Sequence, residues 1–230
     1  SVPYYHGAEL LTLAGLPIAV IGFALIFIFG RTHLFYWLDP AIAGSDPWLT
    51  ESGIVWRFVV SQALFYILTL IGYQWGKKEG NKAKLYQLAV LQIIAFVIAS
   101  TLLAWDFGML LHHHWLSSIY PIHFFISSVF GGLALILLIA IVNKVPLSNR
   151  AIENYGRLLI GFSMLWLYFF WSQYIVFWFG NLSHEMAPIE QQMSGRYRLL
   201  YVLMLLCLFV IPFFGLLRFE MRSQKNNLLS

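Results

Sequence analysis

The chain has 230 residues, 60% of them hydrophobic and only 10% charged, with a formal net charge of +4 and a mean hydropathy of +0.75. A soluble domain carries about 25% charged residues. This composition excludes a soluble globular protein, because so much apolar surface cannot be hidden from water and lipid must be part of the solvent.

Six long apolar runs are predicted to span the membrane, at residues 10–30, 54–76, 86–107, 118–142, 158–181 and 199–217. Each is close to the ~20 residues that a helix needs to cross the hydrocarbon, whereas barrel strands are about half as long. The fold class is therefore an all-α, polytopic transmembrane bundle in one membrane domain, since helices satisfy their own backbone groups in lipid.

In chain order, the first span holds Pro17, a candidate kink. The connection 31–53 has the turn signals Asp39-Pro40 and Asp46-Pro47. Its aromatics Phe35, Tyr36, Trp37 and Trp48 suit a segment lying at headgroup level. Span two carries Arg57 and Gln62, and span three carries Gln92 and, near its end, Asp106. A connection with His112, His113 and His114 follows. Span four contains His123, then Ser127, Ser128, Gly131 and Gly132, a small-residue face expected to pack closely on a neighbour. Span five contains Ser163, Tyr168, Ser172, Gln173, Tyr174 and Asn181. The connection 182–197 carries His184, Glu185 and Glu190. Span six holds Pro212 and the single cysteine, Cys207, expected to be a small buried packing residue. One cysteine excludes a disulfide, an iron–sulfur cluster or a Cys-X-X-Cys-His haem attachment within the chain. No cleavable signal peptide is evident, and a start at Ser1 rather than Met fits a chain processed or incomplete at its front.

Positive charge sets the orientation. Lys77, Lys78, Lys82, Lys84, Lys144, Arg150, Arg157, Arg218, Arg222 and Lys225 fall on one side. Only Arg31, Arg57, Arg196 and Arg198 fall on the other. The positive-inside rule then puts both termini in the cytoplasm, which an even number of spans allows. The basic pI of about 9.2 comes from these loops, with no basic stripe of the kind that binds nucleic acid.

With that orientation, Arg57, Gln62, Asp106, His114, His123, Ser127, Ser172, Gln173, Tyr174 and Asn181 gather toward the outer face. Polar groups at membrane depth are costly unless they face protein or water. The belt is expected to line a hydrated or ligand-occupied cavity, or else to glue helices together by hydrogen bonds. An imidazole near a carboxylate suits proton conduction or quinol binding. Asp106, His114 and His123 are also a candidate nitrogen and oxygen ligand set for copper or zinc. Asp106 lies shallow enough to remain ionised beside Arg57. An intramembrane bis-histidine haem is not expected, because only His123 enters a span.

Four motifs occur in an order that resembles a known family. Trp105-Asp106-Phe107 precedes His114-Trp115-Leu116-Ser117-Ser118-Ile119-Tyr120. Trp166-Leu167-Tyr168 and Ser172-Gln173-Tyr174 precede Trp178-Phe179-Gly180-Asn181, and Ile211-Pro212-Phe213 follows. Together with Arg57 opening a helix, these resemble ActF, a membrane subunit of bacterial alternative complex III, over roughly residues 34–228. The chain departs from that pattern at Ser183-His184-Glu185 and at Glu153-Asn154-Tyr155-Gly156. Relatives of that kind are longer at both ends.

The resemblance implies a multi-pass subunit of the bacterial cytoplasmic membrane with no covalently bound cofactor and no metal of its own. It would sit beside an NrfD-like quinol-binding subunit and periplasmic iron–sulfur and haem c subunits, with bound menaquinone or menaquinol and phospholipid. Asp106, His114, Arg57, His123, Gln173, Tyr174, Asn181 and Glu185 would be its proton-path or quinone-site residues. Two other functions fit the residues: a subunit of a membrane copper monooxygenase, and a scaffold subunit without chemistry.

Overall fold

A computed structural model of the chain describes residues 3–38, 48–76, 82–111, 115–145, 148–180 and 183–216. Its long helices are α1 (Pro3–Leu34), α2 (Glu51–Gly76), α3 (Lys82–Phe107), α4 (Tyr120–Val142) and α5 (Asn149–Gly180). A short helix α6 (Ser183–Met193) precedes α7 (Arg198–Leu205), which continues through one π-helical stretch, Leu206–Val210. Among the described residues six segments are long and apolar enough to cross a membrane, the last running Arg198–Leu216, and no strand occurs. The protein is a polytopic, all-helical integral membrane protein. The chain divides into two compact units, Ser1–His113 and His114–Ser230.

Several helices outrun their apolar cores. The first span, expected at 10–30, is part of a 32-residue helix, and α5 begins at Asn149 rather than near 158. A 32-residue helix is about 48 Å long against about 30 Å of hydrocarbon, so each has turns to spare beyond the lipid tails. Helix formation continues there because polar residues such as Arg150 and Glu153 are compatible with it. The connection 182–197 contains α6, which buries Pro188 while exposing Glu190 and Gln191.

In the first unit, aromatic rings join three helices. Phe23 of α1 stacks on Phe58 of α2 with centroids 4.0 Å apart, and Phe107 of α3 meets both edge-on at 5.7 and 6.4 Å. Phe35 and Trp37 are 1% exposed and form the unit's core with Ile54. The reason is local. A 3₁₀ turn at Tyr36–Leu38 follows α1 and turns these rings toward Phe27 and Phe107. Helices α2 and α3 approach closely at Gly72, where a Cβ would stand 3.1 Å from Gln92 Nε2 and 3.3 Å from Leu88 Cδ2. Gln92 crosses the seam to donate to the Leu68 carbonyl at 3.2 Å. The hydroxyls of Ser61, Thr69 and Ser100 donate to carbonyls of their own helices, so they enter the lipid satisfied.

In the second unit, α4 turns Ile126, Phe130 and Ala140 inward, and α5 turns Leu159, Ser163, Trp166 and Phe177. The expected close packing at Gly131-Gly132 is not found, since nothing lies within 4 Å of a Cβ at either position. The adjacent Ser127 and Ser128 donate to the carbonyls of His123 and Phe124 in their own helix. This removes their need for a partner helix. Cys207 is exposed rather than buried, and the thiol's small hydrophobic character suits a lipid-facing position. The turn after α4 closes with Lys144 at φ 52°, while Val145 donates back to Ala140. This is a helix-ending geometry that normally favours glycine.

Pro212 has no N–H to offer the Leu208 carbonyl, four residues back. Just upstream the helix widens to π spacing, with Ile211 N–H donating to Leu206. The Leu208 carbonyl is taken by the fully buried Ser163 hydroxyl of α5 at 2.9 Å. We predict that Ser163→Ala destabilises the protein by about 1–3 kcal/mol, the cost of leaving a buried acceptor unmade. The same change made in a Pro212→Ala background should cost clearly less, because the backbone N–H is restored. Equilibrium unfolding of the four proteins in mixed detergent measures both values.

Candidate functional site

Two polar features stand out, one in each unit. In the first, α2 begins at Thr50, whose hydroxyl accepts the Gly53 N–H at 3.1 Å while its carbonyl accepts from Ile54. This caps the helix start. Arg57, on the second turn, then reaches across to α3. Its Nε donates to Asp106 Oδ2 at 2.9 Å and its Nη2 to Oδ1 at 2.8 Å. Its Nη1 donates to the Trp48 carbonyl at 2.9 Å, and the guanidinium lies 4.1 Å from the centre of the Trp48 ring. Trp48 in turn meets Trp105 edge-on at 5.7 Å. A Cβ at Gly53 would stand 3.0 Å from Arg57 Nη1 and 2.6 Å from Thr50 Oγ1, so glycine leaves room for the guanidinium. The pair is well shielded, with side-chain exposures of 13% for Arg57 and 3% for Asp106. A two-point fork of this kind is among the stronger ion-pair geometries. The exposed Arg31–Glu51 pair joining α1 to α2 contributes far less.

The second feature is a cavity of about 180 Å³ in the second unit. Its walls include Trp115 ahead of α4, Tyr120 and His123 from the start of α4, Phe170, Gln173 and Tyr174 from α5, Ile189 and Gln192 from α6, and Tyr201 and Met204 from α7. The approach to α4 is ordered by Ser117, whose hydroxyl accepts the Tyr120 N–H at 3.2 Å, and by Pro121 in the first turn. This sets His123 one turn in, with its ring 5.3 Å from Trp166 and 6.2 Å from Phe170. Those two rings stack on each other at 5.2 Å, and Phe170 meets Tyr201 at 6.0 Å. Trp115 packs against Tyr120 and Phe177 at 5.1 and 5.9 Å. On α5, Trp166, Phe170, Gln173 and Phe177 recur at three- and four-residue spacing, which brings them to one face. The buried His123 Nε2 has no hydrogen-bond partner. Burying a polar nitrogen without a partner is costly, and this one belongs to a residue that lines the cavity.

Of the residues singled out in the sequence, His123, Gln173 and Tyr174 come together in the cavity, and Arg57 and Asp106 form the ion pair. His114 and Asn181 lie outside the described residues, as do His112 and His113. Glu185 falls within α6, with its side chain outside the described set. Tyr201 and Gln192 were not anticipated as site residues. Gln192 sits in a segment that reads as a connection, and Tyr201 in a span whose only polar signal is that hydroxyl. Among the described residues no group of three or more His, Cys, Asp or Glu could hold a metal ion. The chain matches no protein-family model and no curated protein.

Removing one partner of a shielded ion pair leaves the other charge uncompensated. Arg57→Ala and Asp106→Ala are each expected to destabilise the protein by about 3 kcal/mol or more. The double variant should lose markedly less than the sum, giving a coupling energy in a double-mutant cycle. Thermal unfolding of the four proteins in one detergent reads it.

Proposed function

We propose that this chain is an integral membrane subunit of a quinol-oxidising respiratory complex of the bacterial cytoplasmic membrane, similar to ActF of alternative complex III. In this reading it carries no redox centre of its own and binds the quinone headgroup in the cavity beside His123. The observation that carries the proposal is a small, aromatic-walled cavity with amide and phenol groups at hand, lined by His123, whose buried Nε2 has no hydrogen-bond partner.

A quinone ring is flat and apolar, with two carbonyl acceptors at its edges. Phe170, Trp115 and Tyr201 offer ring faces and edges for contact with it. Gln173, Gln192, Tyr174 and Tyr201 offer hydrogen-bond donors. His123 Nε2 can donate to a quinone carbonyl or accept the proton of a quinol hydroxyl, so one imidazole both orients the ring and takes part in its proton exchange. The ring's electron chemistry is its own and is completed by partner subunits bearing iron–sulfur and haem c groups. Asp106 has both oxygens held by Arg57 and joins α2 to α3.

Binding of a soluble naphthoquinone, followed by quenching of tryptophan fluorescence in the detergent-purified chain, tests the reading. His123→Leu should weaken the dissociation constant by roughly fivefold to tenfold, the effect of about one hydrogen bond. It should also slow quinol-dependent electron transfer in the assembled complex. Unchanged affinity in both His123→Leu and Tyr174→Phe, with folding intact, would defeat the proposal. If those variants alter only subunit assembly, the chain is a scaffold. Stoichiometric copper lost on His123→Ala would instead favour a copper monooxygenase subunit.

A further inference from the structure

Toward the N-terminal end of α5, one face changes character within three turns. Arg150, Asn154 and Arg157 recur at four- and three-residue spacing, and all three are exposed. Arg157 is the last charged residue before the uncharged stretch 158–180. Gly161 follows one turn later, and nothing lies within 4 Å of where its Cβ would be. On either side of it the surface is apolar, with Leu158 48% and Leu165 43% exposed. Asn154, Arg157, Leu158, Gly161, Phe162 and Leu165 together wall an open groove of about 540 Å³.

We propose that this groove is a binding site for an anionic phospholipid. Its phosphate would lie against Arg157 and Asn154, with Arg150 behind them, and one acyl chain would run over the Gly161 notch against Phe162 and Leu165. Three observations select this occupant. The basic residues end where the uncharged stretch begins, which is the depth of the phosphodiester layer. A free phosphate would use the polar end and leave the apolar continuation without a purpose. A partner helix normally seeks a seam of several small residues, whereas this face has one glycine among long side chains. Glu153, three residues after Arg150 and four before Arg157, shares their face and offsets part of the positive charge. The inference does not depend on quinone binding, because no residue is shared between the two cavities.

Native mass spectrometry of the purified full chain tests it, using phosphatidylglycerol and phosphatidylcholine of the same acyl composition. Wild type should retain phosphatidylglycerol at least about fivefold more than phosphatidylcholine, the effect of one basic residue beside an anionic lipid. Arg150→Gln with Arg157→Gln should abolish the preference, and Gly161→Leu should reduce retention of both lipids by filling the notch. Inorganic phosphate should not compete. Equal retention of the two lipids by wild type would overturn the proposal, as would a preference that survives the double variant. Competition by millimolar phosphate, or retention unchanged by Gly161→Leu, would reduce the site to a surface anion contact and overturn it equally. If the double variant does not fold, Arg157→Gln alone should lower the preference, and no change in it counts against the site.

Discussion

Lipid offers no hydrogen bonds, so every donor and acceptor that enters it must be answered from within the protein. This constraint explains most of the polar detail in the structure. Ser61, Thr69, Ser100, Ser127 and Ser128 return their hydroxyl protons to their own helices. Gln92 gives its amide to a neighbouring helix. The Leu208 carbonyl, to which Pro212 offers no N–H, is answered by Ser163, and Asp106 by a guanidinium that also serves Trp48. Against this background the buried and unanswered nitrogens, His123 Nε2 and Trp37 Nε1, are exceptions, and of the two only His123 lines the cavity. Exceptions of this kind are where ligand binding is to be sought.

The Arg57–Asp106 pair and the His123 cavity show two ways in which a membrane protein carries ionisable groups. The pair is closed on itself: fork to carboxylate, a third N–H to a backbone carbonyl, and a ring over the cation. Such an arrangement holds helices at a set distance and angle. The cavity is open chemistry, with rings on its walls and an imidazole that lacks a partner. Gly53 and Gly72 play supporting parts of the same kind, leaving space for Arg57 and for Gln92.

Aromatic residues also divide by use. Phe23, Phe58, Phe107, Phe35 and Trp37 interlock as core, whereas Trp171, Trp178 and Phe179 are more than half exposed toward lipid. Composition alone cannot separate the two groups. A tryptophan is equally at home in an interface belt or against another ring, so the packing of Phe35 and Trp37 on each other is known only once the 3₁₀ turn after α1 is seen.

The number, type and approximate place of the spans were legible in the sequence, because an uncharged apolar run of ~20 residues has one stable fate in lipid, a helix. The charge partners Arg57 and Asp106 were legible for a related reason: at membrane depth a carboxylate needs a cation, and few were on offer. His123, Gln173 and Tyr174 were legible only as polar residues in apolar runs. That Phe170, Gln192 and Tyr201 close a cavity around them was decided by tertiary structure, as were the exposure of Cys207, the open face at Gly131-Gly132 and the hidden helix at Ser183–Met193. Hydropathy records how much each residue prefers lipid to water and carries no information on which residue of another helix stands opposite. That second quantity depends on helix rotation and on gaps left by single side chains, and only the packed chain determines it.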